Sequence, residues 1–153
     1  MATPEERVEA LGLAIPEVPK PVAAYVPAIR TGNYVYTSGQ LPMRDGQLIM
    51  SGKIGGAVSA EDGAACAQRC ALNAIAAVKS VVGDLSSVVR VVRVVAFIAS
   101  TPDFTGQPAV ANGASELIGK VFGDAGQHAR SAVGVPVLPL DAPVEVEMVV
   151  EVR

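Results

Sequence analysis

The C-terminal segment constrains the fold most, because its residues alternate between two chemical types. Apolar side chains occupy every second position and glutamates fill most positions between them, as V-E-V-E-M-V-V-E-V over 144–152. A period of two is that of a β-strand with one buried face and one face toward solvent. The sequence therefore predicts a half-buried C-terminal strand, with its valines directed inward and with Glu145 and Glu147 on the opposite face.

A second strand is expected just before it, and this strand carries one permanent charge. The segment 128–153 is predicted to form two strands joined by a Pro-containing turn, which places Arg130 on a strand next to that of Glu145. A guanidinium among small and apolar neighbours needs an anion, because an unpaired buried charge is costly. Spacing alone favours an ordinary ion pair between Arg130 and Glu145. The alternative is a ligand whose carboxylate the guanidinium binds in bidentate geometry.

The whole chain predicts one α+β domain over residues 1–153, in which residues 1–21 form an N-terminal helical arm. The order of the elements favours one mixed β-sheet with two helices packed on one face. The predicted elements are a helix capped by Thr3, strands at about 22–29, 34–38 and 47–50, a helix from 59 to about 82, a strand at 88–100, a helix at about 107–122 and the two C-terminal strands.

The predicted strand at 88–100 is apolar on both faces, so we expect it to be central and covered on both sides. Its Arg90 and Arg93 are expected on opposite faces. Two helices on one side leave the other face of the sheet with little cover from the chain itself. Because half of the residues are hydrophobic, we expect copies of the chain to associate through that face.

Composition narrows the class of protein. A formal net charge of -3 provides no broad basic field, so we expect no nucleic-acid partner. No apolar run reaches membrane-spanning length, and the acidic, polar N-terminus does not resemble a secretory signal, which predicts a cytoplasmic protein without membrane contact. Cys66 and Cys70 lie in an Ala-rich helical segment far from the one histidine, His128. They are interpreted as small buried side chains rather than as metal ligands or a disulfide.

The residues that remain for chemistry are few. The sequence has no phosphate-binding loop with a lysine, no dinucleotide fingerprint and no nucleophile elbow. Arg130 suits the orientation of a small acid, and a nearby Glu145 would deprotonate a water that attacks the atom next to that acid's carboxylate. His128 shares the strand face of Arg130, and it is either a cleft-lining group or an ordinary histidine with satisfied hydrogen bonds.

Five short motifs give these residues a context. Their order and spacing, from about Val22 to the C-terminus, resemble the RidA (YjgF) family. The motifs are T-S-G-Q-L-P at 37–42, N-x-x-x-E at 112–116, A-R-S-A-V at 129–133, L-P at 138–139 and V-E-V-E at 144–147.

The resemblance implies a chorismate-mutase-like fold assembled as a homotrimer, with sites in the clefts between subunits. It also implies hydrolysis of reactive enamines and imines, such as 2-aminoacrylate, to a 2-keto acid and ammonia. Such imines are already electrophilic, so no metal or other cofactor is expected. By the same resemblance, Arg130 binds the substrate carboxylate and Glu145 positions the attacking water. Tyr25 and Asn112 correspond to residues that line the site, and Gly39 presents its backbone to the ligand.

Two positions depart from the family pattern. Ala132 stands where many members carry a cysteine, so only a backbone contact to the substrate is implied there. His128 stands where a proline is common.

Three functions follow as hypotheses. The first is a cofactor-free deaminase for small 2-imino acids, and the second is a protein that binds 2-keto acids without turnover. The third is an endoribonuclease, which rests on an older label of the family and which the acidic charge balance disfavours.

Overall fold

A five-stranded mixed sheet forms the centre of this computed structural model, which describes residues 1–18 and 24–153. Five strands build it, namely β1 (Ala28–Thr31), β2 (Tyr34–Thr37), β5 (Val88–Ala99), β6 (Ala129–Val135) and β7 (Val144–Val152). Their spatial order is β1-β2-β7-β5-β6, and β5 and β6 are parallel while the other neighbours are antiparallel. A separate hairpin pairs β3 (Met43–Arg44) with β4 (Gln47–Leu48).

Two long helices cover one face of this sheet, as predicted. Helix α2 (Ala60–Val82) begins after Ser59, whose side chain accepts the backbone N–H of Asp62, and it ends at Gly83, which has a positive φ. Helix α3 (Gln107–Phe122) packs against α2, and its apolar residues are buried. On the sheet side, every second residue of β7 from Val144 to Val152 is buried against these helices. The predicted α+β architecture is confirmed.

The N-terminal arm contains the predicted helix, α1 (Pro4–Ala10). Thr3 and Glu6 form a capping box at its start. Glu5 attaches this helix to the domain, because its carboxylate accepts hydrogen bonds from Lys79 Nζ at 2.7 Å and from the Leu85 backbone N–H at 3.0 Å. The start of the predicted strand at 22–29 lies outside the described residues, and the described strand begins only at Ala28.

The strand order separates β6 from β7, and this corrects the prediction that Arg130 and Glu145 lie on neighbouring strands. A strand has two hydrogen-bonding edges, and β5 uses one for β6 and the other for β7. The connection at 136–143 therefore crosses β5 instead of closing a hairpin. Proline-containing segments of this length do not favour a tight turn, and the apolar alternation of each strand says nothing about which edge it joins.

The face of the sheet opposite α2 and α3, which we call the open face, is uncovered in the single chain. It exposes large apolar side chains, including Ile29 at 60% and Tyr36 at 45% of their surface. The prediction that the central strand is covered on both sides is wrong for one chain, since Val95 and Phe97 on this face remain only half-buried.

Two β-bulges near the start of β5 also change its pattern. They shift the register so that Arg90 pairs with Glu151 and Arg93 pairs with Val149. Both partners lie on the open face, so the two arginines share that face, and the prediction that they lie on opposite faces is wrong. A bulge resets the alternation of a strand, and its position cannot be seen in the apolar pattern.

Among the described residues, none of the helices combines the length and the apolar character that crossing a bilayer requires.

Two glycines of α3 provide a matched test of the packing between the helices. A Cβ on Gly113 would overlap the Ala64 carbonyl of α2, whereas a Cβ on Gly119 would meet nothing. We expect Gly113→Ala to destabilise the protein by about 1–3 kcal/mol through overpacking. Gly119→Ala should stabilise it by roughly 0.5–1 kcal/mol, since alanine favours a helix. Urea unfolding of both variants measures the difference, and equal midpoints would contradict the close approach of the two helices.

Candidate functional site

Arg130 lies on β6 and directs its guanidinium toward α3. Its Nη1 donates to Asn112 Oδ1 at 2.8 Å and to Ser115 Oγ at 3.2 Å. Its Nη2 donates to the Pro108 carbonyl at 3.4 Å. All three acceptors are neutral, so these contacts orient the guanidinium without cancelling its charge.

Arg130 has no carboxylate partner among the described residues. The ion pairs found there join Lys53 to Asp141 and Lys79 to Glu5. Since a guanidinium has five N–H donors, the three hydrogen bonds above leave Nε–H and one N–H of Nη2 for another acceptor. The interpretation of Arg130 and Glu145 as an internal ion pair is therefore wrong.

Glu145 lies on β7 and points to the open face, where Gly39 packs against it. A Cβ on Gly39 would overlap the Glu145 carboxylate as it is placed here, so a larger residue at this position would displace that side chain. Burial raises the pKa of Glu145 above its ordinary value, and the nearby Glu147 carboxylate raises it further. A carboxylate with a raised pKa is a stronger base than a solvated one, which suits the removal of a proton from water.

Arg130 and Glu145 do not meet within one chain. Arg130 is aligned with the buried Val94 of β5, and Glu145 is aligned with Phe97, three positions further along that strand and on the open face. Two strand spacings and three residues separate them by roughly 10 Å in each direction. The chain therefore carries two half-sites on opposite faces, one around Arg130 and one around Glu145.

The other predicted site residues divide between these half-sites. Asn112 contacts Arg130 directly, as described above. Ala132 follows Arg130 on the same face of β6 and is partly buried against the core. Tyr25 exposes 56% of its surface, and its neighbour Val26 accepts a hydrogen bond from Ser38 Oγ at 2.6 Å. Ser38 precedes Gly39, so Tyr25 belongs to the segment beside the glutamate half-site.

Sequence reasoning missed Ser115, which the structure places between Arg130 and His128. Ser115 Oγ lies 2.9 Å from His128 Nε2, in addition to its contact with Arg130. One signal was available, because Ser115 follows Asn112 by three residues and therefore lies on the same side of helix α3. His128 has both ring nitrogens in hydrogen bonds, since its Nδ1 lies 2.6 Å from the Gly126 carbonyl.

The described residues contain no group of three or more histidine, cysteine or acidic side chains arranged to bind a metal. Cys66 and Cys70 are buried, as predicted, and both are free cysteines. Burial, with a smaller effect of Asp62, raises the pKa of the Cys66 thiol to about 11, and burial also raises that of Cys70. Both thiols are therefore protonated near neutral pH and are poor nucleophiles.

Comparisons with known proteins place this chain among similar sequences and structures. A family model described as "YjgF/chorismate_mutase-like, putative endoribonuclease" matches residues 5–152. Protein TCP17 of Trypanosoma cruzi is 42% identical over 147 residues, which cover 95% of this chain and 92% of that protein. A Dermatophagoides farinae protein named 2-iminobutanoate/2-iminopropanoate deaminase is 32% identical over 143 residues, covering 92% and 95% of the two chains. The crystal structure of Atu1372 from Agrobacterium tumefaciens, of unknown function, is 42% identical, with a TM-score of 0.93 over 98% of this chain and 92% of that one.

The electrostatic effect of Glu147 on Glu145 can be measured directly. Replacing Glu147 by glutamine removes a like charge, so the pKa of Glu145 should fall toward its ordinary value. Titration of the Glu145 side-chain carboxyl carbon by NMR, assigned by its loss in Glu145→Gln, follows this change. Glu151→Gln is the matched control on the same face and should leave the pKa unchanged. A wild-type Glu145 that titrates at about 4.3, the ordinary value for glutamate, would contradict the raised pKa.

Proposed function

The chain belongs to the YjgF/chorismate-mutase-like family, and from this premise we propose that it hydrolyses imines of 2-keto acids to the keto acid and ammonia. The resemblance to the RidA (YjgF) family seen in the sequence is thereby confirmed. The observation that carries the proposal is the environment of Arg130. Three neutral acceptors orient its guanidinium and leave two of its N–H donors available.

Arg130 is the residue that we expect to bind the substrate. The carboxylate of a 2-imino acid would accept from Nε–H and Nη2–H, two parallel hydrogen bonds that a guanidinium provides and a lysine ammonium does not. Asn112 and Ser115 already fix the plane of the guanidinium, so little conformational entropy is lost on binding. The bound carboxylate places the adjacent imine carbon at a defined position.

Glu145 is the residue that we expect to act on water. As a carboxylate it takes a proton from water while the oxygen bonds to the imine carbon and the C=N electron pair moves to nitrogen. That proton passes to the nitrogen and gives a carbinolamine, C(OH)–NH2. The hydroxyl proton then moves through Glu145 to the amino group, so that the C–N bond breaks, ammonia leaves and a C=O bond remains. The imine carbon is electrophilic enough for this attack, so the chemistry needs proton transfer and orientation rather than a covalent intermediate.

The two half-sites become one site if chains associate as the family resemblance implies. We expect a homotrimer in which the arginine half-site of one subunit faces the glutamate half-site of its neighbour. Two observations support this arrangement. The half-sites lie on opposite faces of each chain, and the open face exposes apolar side chains such as Ile29 and Tyr36 that association would bury.

A second function is binding of 2-keto acids without turnover. It is favoured by one observation, namely that the arginine half-site is complete within a single chain and would hold an acid without help from Glu145. The two functions make different predictions for Glu145. Its replacement should lower the turnover of an enzyme by about a hundredfold or more, whereas a binding protein has no turnover to lose. Affinity for the keto acid should stay nearly unchanged in both cases.

Substitution of the two central residues tests the proposed reaction. We expect Arg130→Lys to lower kcat/KM by about a hundredfold, because a point charge does not orient the carboxylate. Glu145→Gln should lower kcat by about a hundredfold or more while retaining ligand affinity. The assay follows keto-acid release from an imine that an amino-acid oxidase generates from 2-aminobutyrate, and calorimetry with 2-oxobutanoate measures binding. Wild-type protein that binds the keto acid without accelerating its release would support the binding function instead.

Mixed oligomers test whether the site lies between subunits. Arg130→Ala chains retain Glu145, and Glu145→Gln chains retain Arg130, so a mixed trimer contains some interfaces with both native residues. A working interface needs a native Arg130 from one subunit and a native Glu145 from its neighbour, and in a random mixture of equal amounts each is native about half of the time. The mixture should therefore restore about a quarter of the wild-type activity. The two variants are unfolded together, refolded and assayed, with each variant refolded alone as the control. A mixture no more active than its components would place both residues of a working site in one chain.

A further inference from the structure

Behind Arg130, a chain of hydrogen bonds runs through Ser115 to His128 and ends on the backbone. Arg130 Nη1 lies 3.2 Å from Ser115 Oγ, which lies 2.9 Å from His128 Nε2, and His128 Nδ1 lies 2.6 Å from the Gly126 carbonyl. None of these groups is a carboxylate. The chain therefore connects the guanidinium to a backbone carbonyl through polar groups that carry no negative charge.

The backbone end of this chain sets its direction. A carbonyl only accepts hydrogen bonds, so Nδ1 of His128 must carry a proton to bond with Gly126. In the neutral ring Nε2 is then the acceptor, and the Ser115 hydroxyl donates to it. The lone pairs of Ser115 Oγ are thereby directed toward Arg130, whose Nη1–H they accept.

Gly126 packs closely against α3, which fixes the position of its carbonyl. The donor-to-acceptor direction of the hydrogen-bond chain is therefore set by the fold. A Cβ at this position would lie 2.6 Å from the Ile118 carbonyl oxygen of α3, so only glycine lets the segment approach the helix this closely. Its carbonyl thus stays at a defined distance from α3, the same helix that carries Ser115 and Asn112. The histidine is held between this turn and the helix.

We propose that Ser115 and His128 are positioning residues that determine which edge of the Arg130 guanidinium is presented to an acid. With Asn112, Ser115 occupies both hydrogens of Nη1. The edge formed by Nε–H and Nη2–H is the one that remains for a carboxylate. This inference rests on the proposed function for the nature of the ligand, and it adds two residues that act through Arg130 rather than on the substrate.

The role predicts a specific pattern of kinetic effects. Ser115→Ala and His128→Leu should each raise KM for a 2-imino acid by about tenfold, because each loosens a hydrogen bond to a charged group, while kcat changes little. The double variant should be no worse than either single one, since both act through the same chain. His128→Gln retains an acceptor for the Ser115 hydroxyl and should restore KM to within about twofold of wild type. Ser80→Ala is the control, as Ser80 is a helical serine that donates only to the Ala77 carbonyl.

Three outcomes bear on this inference and on the proposed function. If Arg130→Lys loses activity while the Ser115 and His128 variants keep the wild-type KM, the positioning role is wrong and the proposed function stands. Additive effects of the two single substitutions would also overturn it, because independent residues add. If Arg130→Lys leaves the rate unchanged, or the wild-type protein shows no turnover, the proposed function fails and the spectroscopic test below still decides the inference.

NMR tests the hydrogen-bond chain without any assay of activity. The protein has one histidine, so a long-range proton–nitrogen NMR spectrum contains the signals of a single imidazole. The spectrum is recorded at about pH 8, where an ordinary imidazole is neutral. We expect the Nδ1–H tautomer in the wild-type protein. The Arg130 Nε–H signal, assigned by its loss in Arg130→Lys, should shift in Ser115→Ala and in His128→Leu and should stay in place in His128→Gln. An Nε2–H tautomer, or an Arg130 signal that none of these variants moves, would overturn the proposal.

Discussion

The two hydrogen-bonding edges of β5 determine how the strands of Arg130 and Glu145 lie relative to each other. One edge pairs with β6 in parallel and the other with β7 in antiparallel, so the strand of Arg130 and the strand of Glu145 cannot touch. The same strand separates the two side chains by face, since Arg130 lies on the helix side and Glu145 on the open side. An ion pair between Arg130 and Glu145 would need their two strands to be neighbours, as the sequence led us to expect.

That separation prevents Arg130 and Glu145 from neutralising each other within one chain. A surface ion pair contributes only about 0–1 kcal/mol to stability, yet it would occupy the donors of Arg130 and lower the pKa of Glu145 at the same time. In the observed arrangement Arg130 is oriented by Asn112 and Ser115, which are neutral, so these contacts do not cancel its charge. Glu145 is half-buried beside Glu147 and Gly39, an environment that raises its pKa. An ion pair would have cancelled the charge of Arg130 and lowered the pKa of Glu145, and the separation of the two half-sites prevents both effects.

Most of the fold could be predicted from local patterns, and the errors have a common cause. The alternation over Val144–Val152 and the helix at Gln107–Phe122 follow from periodicity and from capping or stop residues that lie close in sequence. Which edge of a strand its neighbour joins depends on residues far apart in sequence. The predicted pairing of β6 with β7 was therefore wrong. The bulges that bring Arg90 and Arg93 to one face are set by pairing with β7 and leave no mark on composition. In the site, the contact of Asn112 with Arg130 agrees with the family resemblance, whereas Ser115 has no motif of its own.

The two half-sites depend on different parts of the same chain. The arginine half-site depends on α3, whose close packing on α2 at Gly113 fixes Asn112 and Ser115 relative to β6. The glutamate half-site depends instead on the turn at Gly39 and on the unpaired face of the sheet. Because these supports are on opposite sides of one layer, a change that loosens one need not disturb the other within a chain. Only an interface between chains would couple them, and in that case the burial of the open face and the completion of the site would be one event.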